Sequence, residues 1–310
     1  MPEISVIIVT YNADWQKLKM TINSVLMQKD VSYEVLFADD GSKKKWNKEI
    51  SEYIQDRCSF TFVDSINNVG TVSNILNALE NAQGRYVKVI SPGDCFFSDD
   101  SVKRWIEHMK SSKADLSFCN AVYYKHEGSA IEIVREKSSP KNIYLYHETN
   151  NRRKLFVDYL LANDFILGAS VLAERKVMSY YLTEMREKVK YAEDYMIRLM
   201  IFDNRKIEHI NDCLIWYEYG GGISTNGNNS WKKLLQRDFE ATNSIIENRR
   251  TPSEKIQKKY QLYLIKKNEK IKKIVKVVLF PTTIFYRIKM KHSYEKTFLA
   301  DADRLKKLIN

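Results

Sequence analysis

The 310-residue chain lacks the residue patterns that mark several common protein classes. Its four cysteines, Cys58, Cys95, Cys119 and Cys213, form no Cys-x-x-Cys pair, and its five histidines show no zinc-like spacing with them. These absences disfavour a structural zinc site. The remaining interpretation is four reduced, mostly buried thiols in a cytoplasmic protein.

Long apolar runs are absent as well, since no stretch approaches the roughly 18–20 residues that span a bilayer. The first residues, MPEISVIIVTYN, have no basic region and no small-residue cleavage site, so we interpret them as a first strand and not as a signal peptide. The hydrophobic fraction of 44% is ordinary for a globular protein and excludes a wholly disordered chain.

The net charge of +11 is unevenly distributed. Residues 231–310 contain 21 basic and 8 acidic residues, a net charge of +13, which leaves −2 for the rest of the chain. We therefore predict a main domain over residues 1–228 and a basic helical region over residues 229–310, with an anionic partner for that region. Nucleic acid is disfavoured as the partner because no nucleic-acid-binding motif accompanies the charge.

Apolar, β-branched runs alternate with segments of helical periodicity along the first half of the chain. ISVIIVT, YEVLFAD, FTFVDS and RYVKVIS are predicted strands, and Asp14 is a predicted helix cap. This alternation predicts an α/β fold with a mostly parallel sheet. Polar clusters end three of the strands, at Thr10–Asn12, Asp39–Ser42 and Ser91–Asp94. Ligands of such sheets bind beyond the carboxyl ends of the strands, so we expect the site there.

Five segments in this order resemble the inverting family 2 glycosyltransferases, which have a GT-A fold. They are Ser5–Asn12 (SVIIVTYN), Val35–Ser42 (VLFADDGS), Asn67–Asp94, Ala192–Asp194 (AED) and Gly220–Thr225 (GGGIST). The resemblance covers about the first 225 residues and leaves the basic region outside it. It implies a Rossmann-like GT-A domain that binds a nucleotide-sugar donor, with UDP as the expected nucleotide.

The resemblance assigns the ends of the first two strands to the nucleoside of the donor. Tyr11 offers a ring for stacking on a base, and the carboxylate of Asp40 can accept the uracil imide proton. The alternative is that these residues only cap strands and form turns. The full set of implied donor-binding residues is Thr10, Tyr11, Asn12, Asp39, Asp40, Asn68, Gly70, Asn74, Ser91, Gly93, Asp94, Gly222, Ser224 and Thr225.

The family's acidic cluster, which contacts the ribose and a divalent cation, is reduced here to Asp94. Ser91 and Gly93 stand where acids often occur. Because Mg²⁺ commonly uses one or two carboxylates plus substrate phosphates and waters, Asp94 alone remains a candidate ligand for Mn²⁺ or Mg²⁺. The alternative is a Pro-Gly turn with an incidental aspartate.

The resemblance also implies a catalytic pair, Glu193 and Asp194, with Asp194 as the general base that deprotonates the acceptor hydroxyl. The alternative is an acidic first turn of a helix. The Gly222-Ile223-Ser224-Thr225 loop is expected to cover the donor phosphates, or to form a hinge. In related proteins Gly168-Ala169-Ser170 lies near the acceptor region.

The resemblance, together with the reduced acidic cluster and the basic region, implies three candidate functions. The first is an inverting hexosyl- or N-acetylhexosaminyl-transferase that acts on a glycan or polyprenyl-linked acceptor in bacterial surface-polysaccharide synthesis. The second is a non-catalytic nucleotide-sugar-binding or scaffold subunit, and the third is a protein O-glycosyltransferase. For the basic region, attachment to an anionic membrane surface at the inner face of the cell membrane competes with packing on the catalytic domain or on a second copy of the chain.

Overall fold

A computed structural model describes residues 1–127, 130–134, 140–146, 152–221, 229–247, 249, 269–282, 284–285, 288 and 302–309. Strands and helices alternate in the first half, as the apolar periodicity predicts. The strands are β1 (Ile4–Thr10), β2 (Tyr33–Asp39), β3 (Phe60–Asp64), β4 (Tyr86–Ile90), β5 (Cys95–Phe96), β6 (Leu116–Glu127), β7 (Ala130–Ile133), β8 (Val171–Glu174) and β9 (Ile207–Glu218).

The helices surround this sheet and include three in the basic C-terminal region. They are α1 (Trp15–Leu26), α2 (Asn47–Ile54), α3 (Thr71–Asn81), α4 (Ser101–Ser112), α5 (Arg152–Phe156), α6 (Arg175–Met185), α7 (Met196–Phe202), α8 (Asn229–Glu247), α9 (Glu269–Leu279) and α10 (Ala302–Ile309). The Asp14 side chain caps α1 by accepting a hydrogen bond from the Lys17 N–H at 3.0 Å. None of the helices in the described ranges is long and apolar enough to span a bilayer.

The strands form one sheet in the order β3-β2-β1-β4-β8-β6-β9-β5, with β7 paired to β6. Strands β3, β2, β1 and β4 are parallel, which confirms the prediction for the first half. The sheet as a whole is more mixed than predicted, because β8 inserts antiparallel between β4 and β6, and β5 pairs antiparallel with β9. Because β1 lies between β2 and β4, the polar ends of these three strands meet at one edge.

Both faces of the parallel half are buried, which explains why its strands read as continuous apolar runs. Ile7, Leu36 and Val87 face a cluster that includes α3, α6 and α7, whereas Val6 and Ile8 face α1 and α4. All four cysteines are free thiols, two buried and two partly exposed.

The C-terminal helices contact the sheet domain. Ile245 and Ile246 of α8 belong to the same core cluster as α6 and α7, and Phe280 after α9 joins it. Leu305 and Leu308 of α10 pack in a third cluster that includes Met20 and Trp216. The C-terminal region therefore contributes to the core of the fold. This packing corresponds to the alternative in which the region packs on the catalytic domain.

Candidate active site

A cavity of about 640 Å³ opens at the carboxyl ends of β1 and β4, at the edge where the sequence predicts the site. It also reaches the turn that precedes α7. The predicted site residues that line it are Thr10, Tyr11, Asp40, Asn74, Ser91, Asp94, Glu193 and Asp194. Gly222, Ser224 and Thr225 lie outside the described residues.

The end of β1 is tied to the turn after β2. Thr10 Oγ1 donates to Asp39 Oδ2 at 2.9 Å, and Asp39 Oδ1 accepts the Ser42 N–H at 2.8 Å. Asn12 joins the same turn, since its N–H donates to Ser42 Oγ at 2.7 Å. Asp39 and Asn12 do not line the cavity and here hold the turn together. Tyr11 is 52% exposed at the cavity, so its ring is accessible for stacking.

Asp40 connects the end of β2 to the loop before α3. Its carboxylate accepts the N–H groups of Val69 at 2.7 Å and Gly70 at 3.0 Å. Burial raises the pKa of Asp40 above its usual value, against the opposing effect of these two hydrogen bonds. Asn68 and Gly70 belong to this loop and do not line the cavity.

Asn74 lines the cavity and has a buried, unused hydrogen-bond acceptor. Its side chain is buried, and Nδ2 donates to the Ala38 carbonyl at 2.8 Å. Its Oδ1 has no hydrogen-bond partner among the described residues. Since buried polar atoms are normally satisfied, Oδ1 is a candidate acceptor for a ligand donor group.

The Ser91-Pro92-Gly93-Asp94 turn is fixed from α1. Thr21 Oγ1 accepts the Gly93 N–H at 3.0 Å and donates to the Asp94 carbonyl at 2.8 Å. Asp94 is buried, and its Oδ1 accepts the Glu218 N–H at 3.0 Å. Burial raises the pKa of Asp94 to about 7, with the Glu218 hydrogen bond and nearby Lys88 opposing that shift.

An ion pair that the sequence analysis missed lies beside Asp94. Lys17 Nζ is 2.7 Å from Glu218 Oε1 and 2.9 Å from Oε2, and both residues line the cavity. The Glu218 carboxylate lies between Gly93 and Gly221, where an added Cβ would clash at Gly93 and would approach Oε2 to 2.8 Å at Gly221. The signal in the sequence is an acidic residue at a strand end, separated by Tyr219 from three consecutive glycines.

The neighbourhood of Asp94 is chemically suited to a hard cation, although no group of three or more His, Cys, Asp or Glu side chains with metal-binding geometry occurs in the described ranges. Asp94 and Glu218 are joined by the hydrogen bond from the Glu218 N–H to Asp94 Oδ1, and their charges interact. The Lys17 ammonium pairs with Glu218 as a positive counter-charge. Oxygen ligands of this type, completed by donor phosphates and water, fit Mg²⁺ or Mn²⁺.

Glu193 and Asp194 occupy a 3₁₀ turn, Glu193–Tyr195, that leads into α7. Both are partly exposed and line the cavity. Loss of hydration raises the pKa of Asp194 to about 6, against the effect of the Arg198 guanidinium. The same cause, followed by the charge of Asp194, raises the pKa of Glu193 to about 8. Asp194 is therefore the member of the pair that can accept a proton near neutral pH.

The segment Gly168–Ser170 lies against the catalytic turn. A Cβ on Gly168 would stand 3.2 Å from the Asp194 Cβ, so glycine permits the close approach. Lys88, fully buried on β4, donates from Nζ to the Ala169 and Val89 carbonyls, both at 2.7 Å. Burial lowers the pKa of Lys88 to about 8. A lysine within the apolar strand YVKVI is a signal that the sequence analysis did not use.

A mixed sheet with a parallel first half, a cavity at the carboxyl ends of its strands, acidic groups on the turns and a candidate base in the same cavity are features of the GT-A glycosyltransferases. The family model described as "Glycosyl transferase family 2" matches residues 5–173. The chain belongs to glycosyl transferase family 2, and it is a glycosyltransferase.

One similar sequence is the Escherichia coli UDP-Glc:alpha-D-GlcNAc-diphosphoundecaprenol beta-1,3-glucosyltransferase WfgD. It is 23% identical over 245 residues, which cover 79% of this chain and 87% of that protein. The glycosyltransferase MJ1057 of Methanocaldococcus jannaschii is 24% identical over 227 residues, 70% of each chain.

Two solved structures share the fold at low sequence identity. Residues 1–349 of S. aureus TarS, in complex with UDP-GlcNAc, match with a TM-score of 0.57 at 13% identity, over 92% of this chain and 81% of that one. The mannosyltransferase PcManGT of Pyrobaculum calidifontis, in complex with GDP-Man and Mn²⁺, matches with a TM-score of 0.57 at 12% identity, over 99% of this chain and 79% of that one. These similarities establish the GT-A fold.

The glycine at position 93 generates a prediction. Gly93 has a φ of 100° and packs on the Glu218 carboxylate. We expect Gly93→Ala to lower the free energy of unfolding by roughly 1–3 kcal/mol through backbone strain and to weaken UDP binding by displacing Glu218. Thermal unfolding and UDP calorimetry check this.

Asn204→Ala is the matched control, because Asn204 has a φ of 59° and does not line the cavity. It should lower stability without changing UDP affinity. Unchanged UDP affinity in Gly93→Ala would contradict a role of the Glu218 position in donor binding.

Proposed function

We propose that the protein is an inverting glycosyltransferase that moves a hexosyl or N-acetylhexosaminyl group from a UDP-sugar to a hydroxyl of a glycan or polyprenyl-linked glycan acceptor. The observation that carries the proposal is the meeting of Asp40, Asp94 and Asp194 in one cavity. UDP-Glc in the name of the Escherichia coli relative, and UDP-GlcNAc bound to TarS, favour a UDP-sugar donor. The diphosphoundecaprenol acceptor in the name of that relative favours a lipid-linked acceptor.

In this proposal the donor nucleoside lies at the ends of β1 and β2. The Tyr11 ring stacks on uracil, and Asp40 accepts the imide hydrogen bond. The Asn74 Oδ1 accepts from the nucleoside or the sugar. The loop with Gly222, Ser224 and Thr225 lies next along the chain from Gly221, which lines the cavity, and it would supply phosphate contacts.

The chemical step is a single displacement at the anomeric carbon. Asp194 accepts the proton of the acceptor hydroxyl while the hydroxyl oxygen bonds to the anomeric carbon from the face opposite the nucleotide. The bond from that carbon to the diphosphate oxygen breaks, and UDP leaves with the electron pair. A bound Mn²⁺ or Mg²⁺, held by Asp94 with Glu218 adjacent, would neutralise the leaving diphosphate. Lys17 can add positive charge at the same place.

Two other functions are distinguished by the same site. A non-catalytic nucleotide-sugar-binding or scaffold subunit would have no use for a carboxylate with a pKa near 6 beside the donor cavity. A protein O-glycosyltransferase would use the same base and donor site with a polypeptide hydroxyl as acceptor. Removal of the base therefore tests the scaffold function, and the choice of acceptor tests the protein O-glycosyltransferase function.

The proposed base gives a prediction for the rate and for its pH dependence. We expect Asp194→Asn to lower transfer by roughly 10²–10⁴-fold with UDP affinity nearly unchanged, because the amide cannot accept the proton. Because the folded pKa of Asp194 is about 6, the wild-type rate should fall as pH decreases through 6 and level off above it. UDP release from UDP-glucose or UDP-GlcNAc, with diphosphoundecaprenol-linked GlcNAc as acceptor, measures both.

The control for this prediction is Glu187→Gln, an exposed carboxylate in the same region of the chain that does not line the cavity. It should leave transfer unchanged. Substantial transfer by Asp194→Asn would remove Asp194 from the catalytic role and return the scaffold function to consideration.

The charged residues near the proposed position of the donor diphosphate give a second prediction. Calorimetry with UDP should show tighter binding in Mn²⁺ or Mg²⁺ than in EDTA, and Asp94→Ala should remove this difference, since Asp94 would hold the ion. Lys17→Met should weaken binding in EDTA more than in Mn²⁺, because the lysine is then the main positive charge near the phosphates. Metal-independent binding that Asp94→Ala does not affect would make the turn structural.

A membrane location at the inner face of the cell membrane fits the proposed lipid-linked acceptor and the surface of α9. Ile274 is 65% exposed and Val278 is 72% exposed, one turn apart, whereas Val275 and Lys276 face inward. Exposed apolar residues beside basic ones suit an anionic bilayer surface. We propose that the protein attaches peripherally to the cytoplasmic face of the membrane through α9. In this proposal residues 1–228 form the catalytic domain and residues 229–310 form the C-terminal region.

This location predicts that the protein sediments with phosphatidylglycerol vesicles and that salt releases it. Ile274→Ser/Val278→Ser should weaken vesicle binding at least about tenfold, because two apolar side chains are lost from the interface. Point substitutions are preferable to deletion of residues 231–310, which would remove core residues of α8 and α10.

Ile66→Ser, at an isoleucine that is 94% exposed elsewhere in the chain, is the control and should bind vesicles as wild type. Failure to bind vesicles, together with a salt-resistant dimer that Ile274→Ser/Val278→Ser dissociates, would instead assign this surface to a second copy of the chain.

A further inference from the structure

Asp238, in the middle of α8, binds the segment that leads into the catalytic turn. Its Oδ2 accepts the N–H groups of Tyr191 at 2.7 Å and Ala192 at 3.1 Å, and its Oδ1 accepts the Lys190 N–H at 3.2 Å. Asp238 is buried. One carboxylate thus binds three consecutive backbone N–H groups, which end one residue before Glu193.

A second connection joins α8 to the other side of the catalytic turn. Arg198 of α7 is fully buried and donates from Nη1 to the Phe239 carbonyl at 3.2 Å, and from Nη2 to Asn243 Oδ1. Its guanidinium lies 4.0 Å from the centroid of the Phe239 ring. The Glu193–Tyr195 turn is therefore anchored to α8 both before and after the pair of acids.

The donor side holds the same segment. The Lys190 carbonyl accepts the Val72 N–H of α3 at 3.1 Å, and Gly70 lies against Lys190 where a Cβ would clash. Gly70 also donates its N–H to Asp40. The segment 190–192 thus lies between the loop that Asp40 holds and helix α8.

We propose that Asp238 is a positioning residue for Asp194, and that α8 is a functional part of the active site. This inference rests on the proposed function, because it assigns Asp238 to the orientation of the base in that reaction. Hydrogen bonds from backbone N–H groups to a buried carboxylate are stronger than those between neutral groups, so three of them fix the path of the backbone into the turn. A general base must lie within hydrogen-bond reach of the proton that it accepts, and small displacements of it reduce the rate strongly.

Asp238 extends the proposed active site beyond the region that the family model matches. The family model ends at residue 173, and Asp238 lies in the region whose charge suggests only an anionic partner. Nothing in the local sequence around Asp238 marks it, since one aspartate in an amphipathic helix of mixed charge is ordinary.

The first experiment is hydrogen–deuterium exchange of the full chain, wild type against Asp238→Asn. The amide offers one acceptor oxygen in place of two, so at least one N–H of residues 190–192 loses its partner. We expect exchange in peptides that cover residues 190–195 to rise at least about tenfold, with little change in peptides from β1 and β2. Glu240→Gln, an exposed acid on the same helix, should change neither.

The second measurement separates positioning from general stability. With UDP-glucose or UDP-GlcNAc as donor, Asp238→Asn should lower kcat at least about tenfold, leave the Kd for UDP within about twofold, and recover in part in Asp238→Glu. Loss of UDP affinity in proportion to kcat, or loosening of the whole chain, would reduce Asp238 to a structural residue.

The exchange experiment does not depend on substrate. Unchanged exchange at residues 190–195 in Asp238→Asn would overturn the inference even if transfer is observed. Local loosening in Asp238→Asn, combined with full transfer by Asp194→Asn, would instead overturn the proposed base and leave the connection to α8 intact. The two failures are therefore distinguishable.

Discussion

The removal of water from charged groups at one edge of the sheet is the constraint on which the site depends. Asp94, Glu193 and Asp194 all have raised pKa values, and Lys88 has a lowered one, with burial as the largest cause in each case. Buried charges persist only when they are paired or hydrogen-bonded. The hydrogen bonds of Lys88 and Asp94 to backbone groups meet that requirement, and they also fix the Gly168–Ser170 segment and the end of β9.

The poor hydration of these charged groups also affects how the cavity can bind a negatively charged donor. Lys17 is the lysine that lines the cavity among the described residues, whereas six acidic residues line it: Asp14, Asp40, Asp94, Glu193, Asp194 and Glu218. A diphosphate would add further negative charge to this set. Like charges in a poorly hydrated site repel strongly, so donor binding requires compensation by Lys17, by a divalent cation or by protonation. The raised pKa values indicate that protonation already supplies part of this compensation near neutral pH.

Much of the fold follows from local patterns in the sequence. The continuous apolar runs at β1, β2 and β4 and the cap at Asp14 are short-range signals, and their prediction is confirmed. The position of β8 between β4 and β6 could not be predicted in this way, because strand order depends on contacts between distant segments. The sheet is therefore mixed beyond β4.

The candidate site likewise has residues that the sequence could predict and residues that it could not. Residues at the ends of neighbouring strands, such as Thr10, Asp40 and Asp94, could be predicted to lie close together because strand ends converge in the parallel part of a sheet. Pairs that join distant parts of the chain could not: Lys17 and Glu218 are 201 positions apart, and Asp238 is 46 to 48 positions from the N–H groups that it accepts. A side-chain pair of this kind has no periodicity, so only the three-dimensional arrangement identifies it.

The basic C-terminal region illustrates how charge can mislead about structure. Its net charge groups residues 231–310 together, yet its helices have different environments. Helix α8 contacts the catalytic turn, α10 buries Leu305 and Leu308, and α9 leaves Ile274 and Val278 exposed. Similar charge along a sequence therefore does not imply a common role, because hydrogen bonding assigns α8 to the scaffold of the cavity whereas the apolar side chains Ile274 and Val278 of α9 remain exposed.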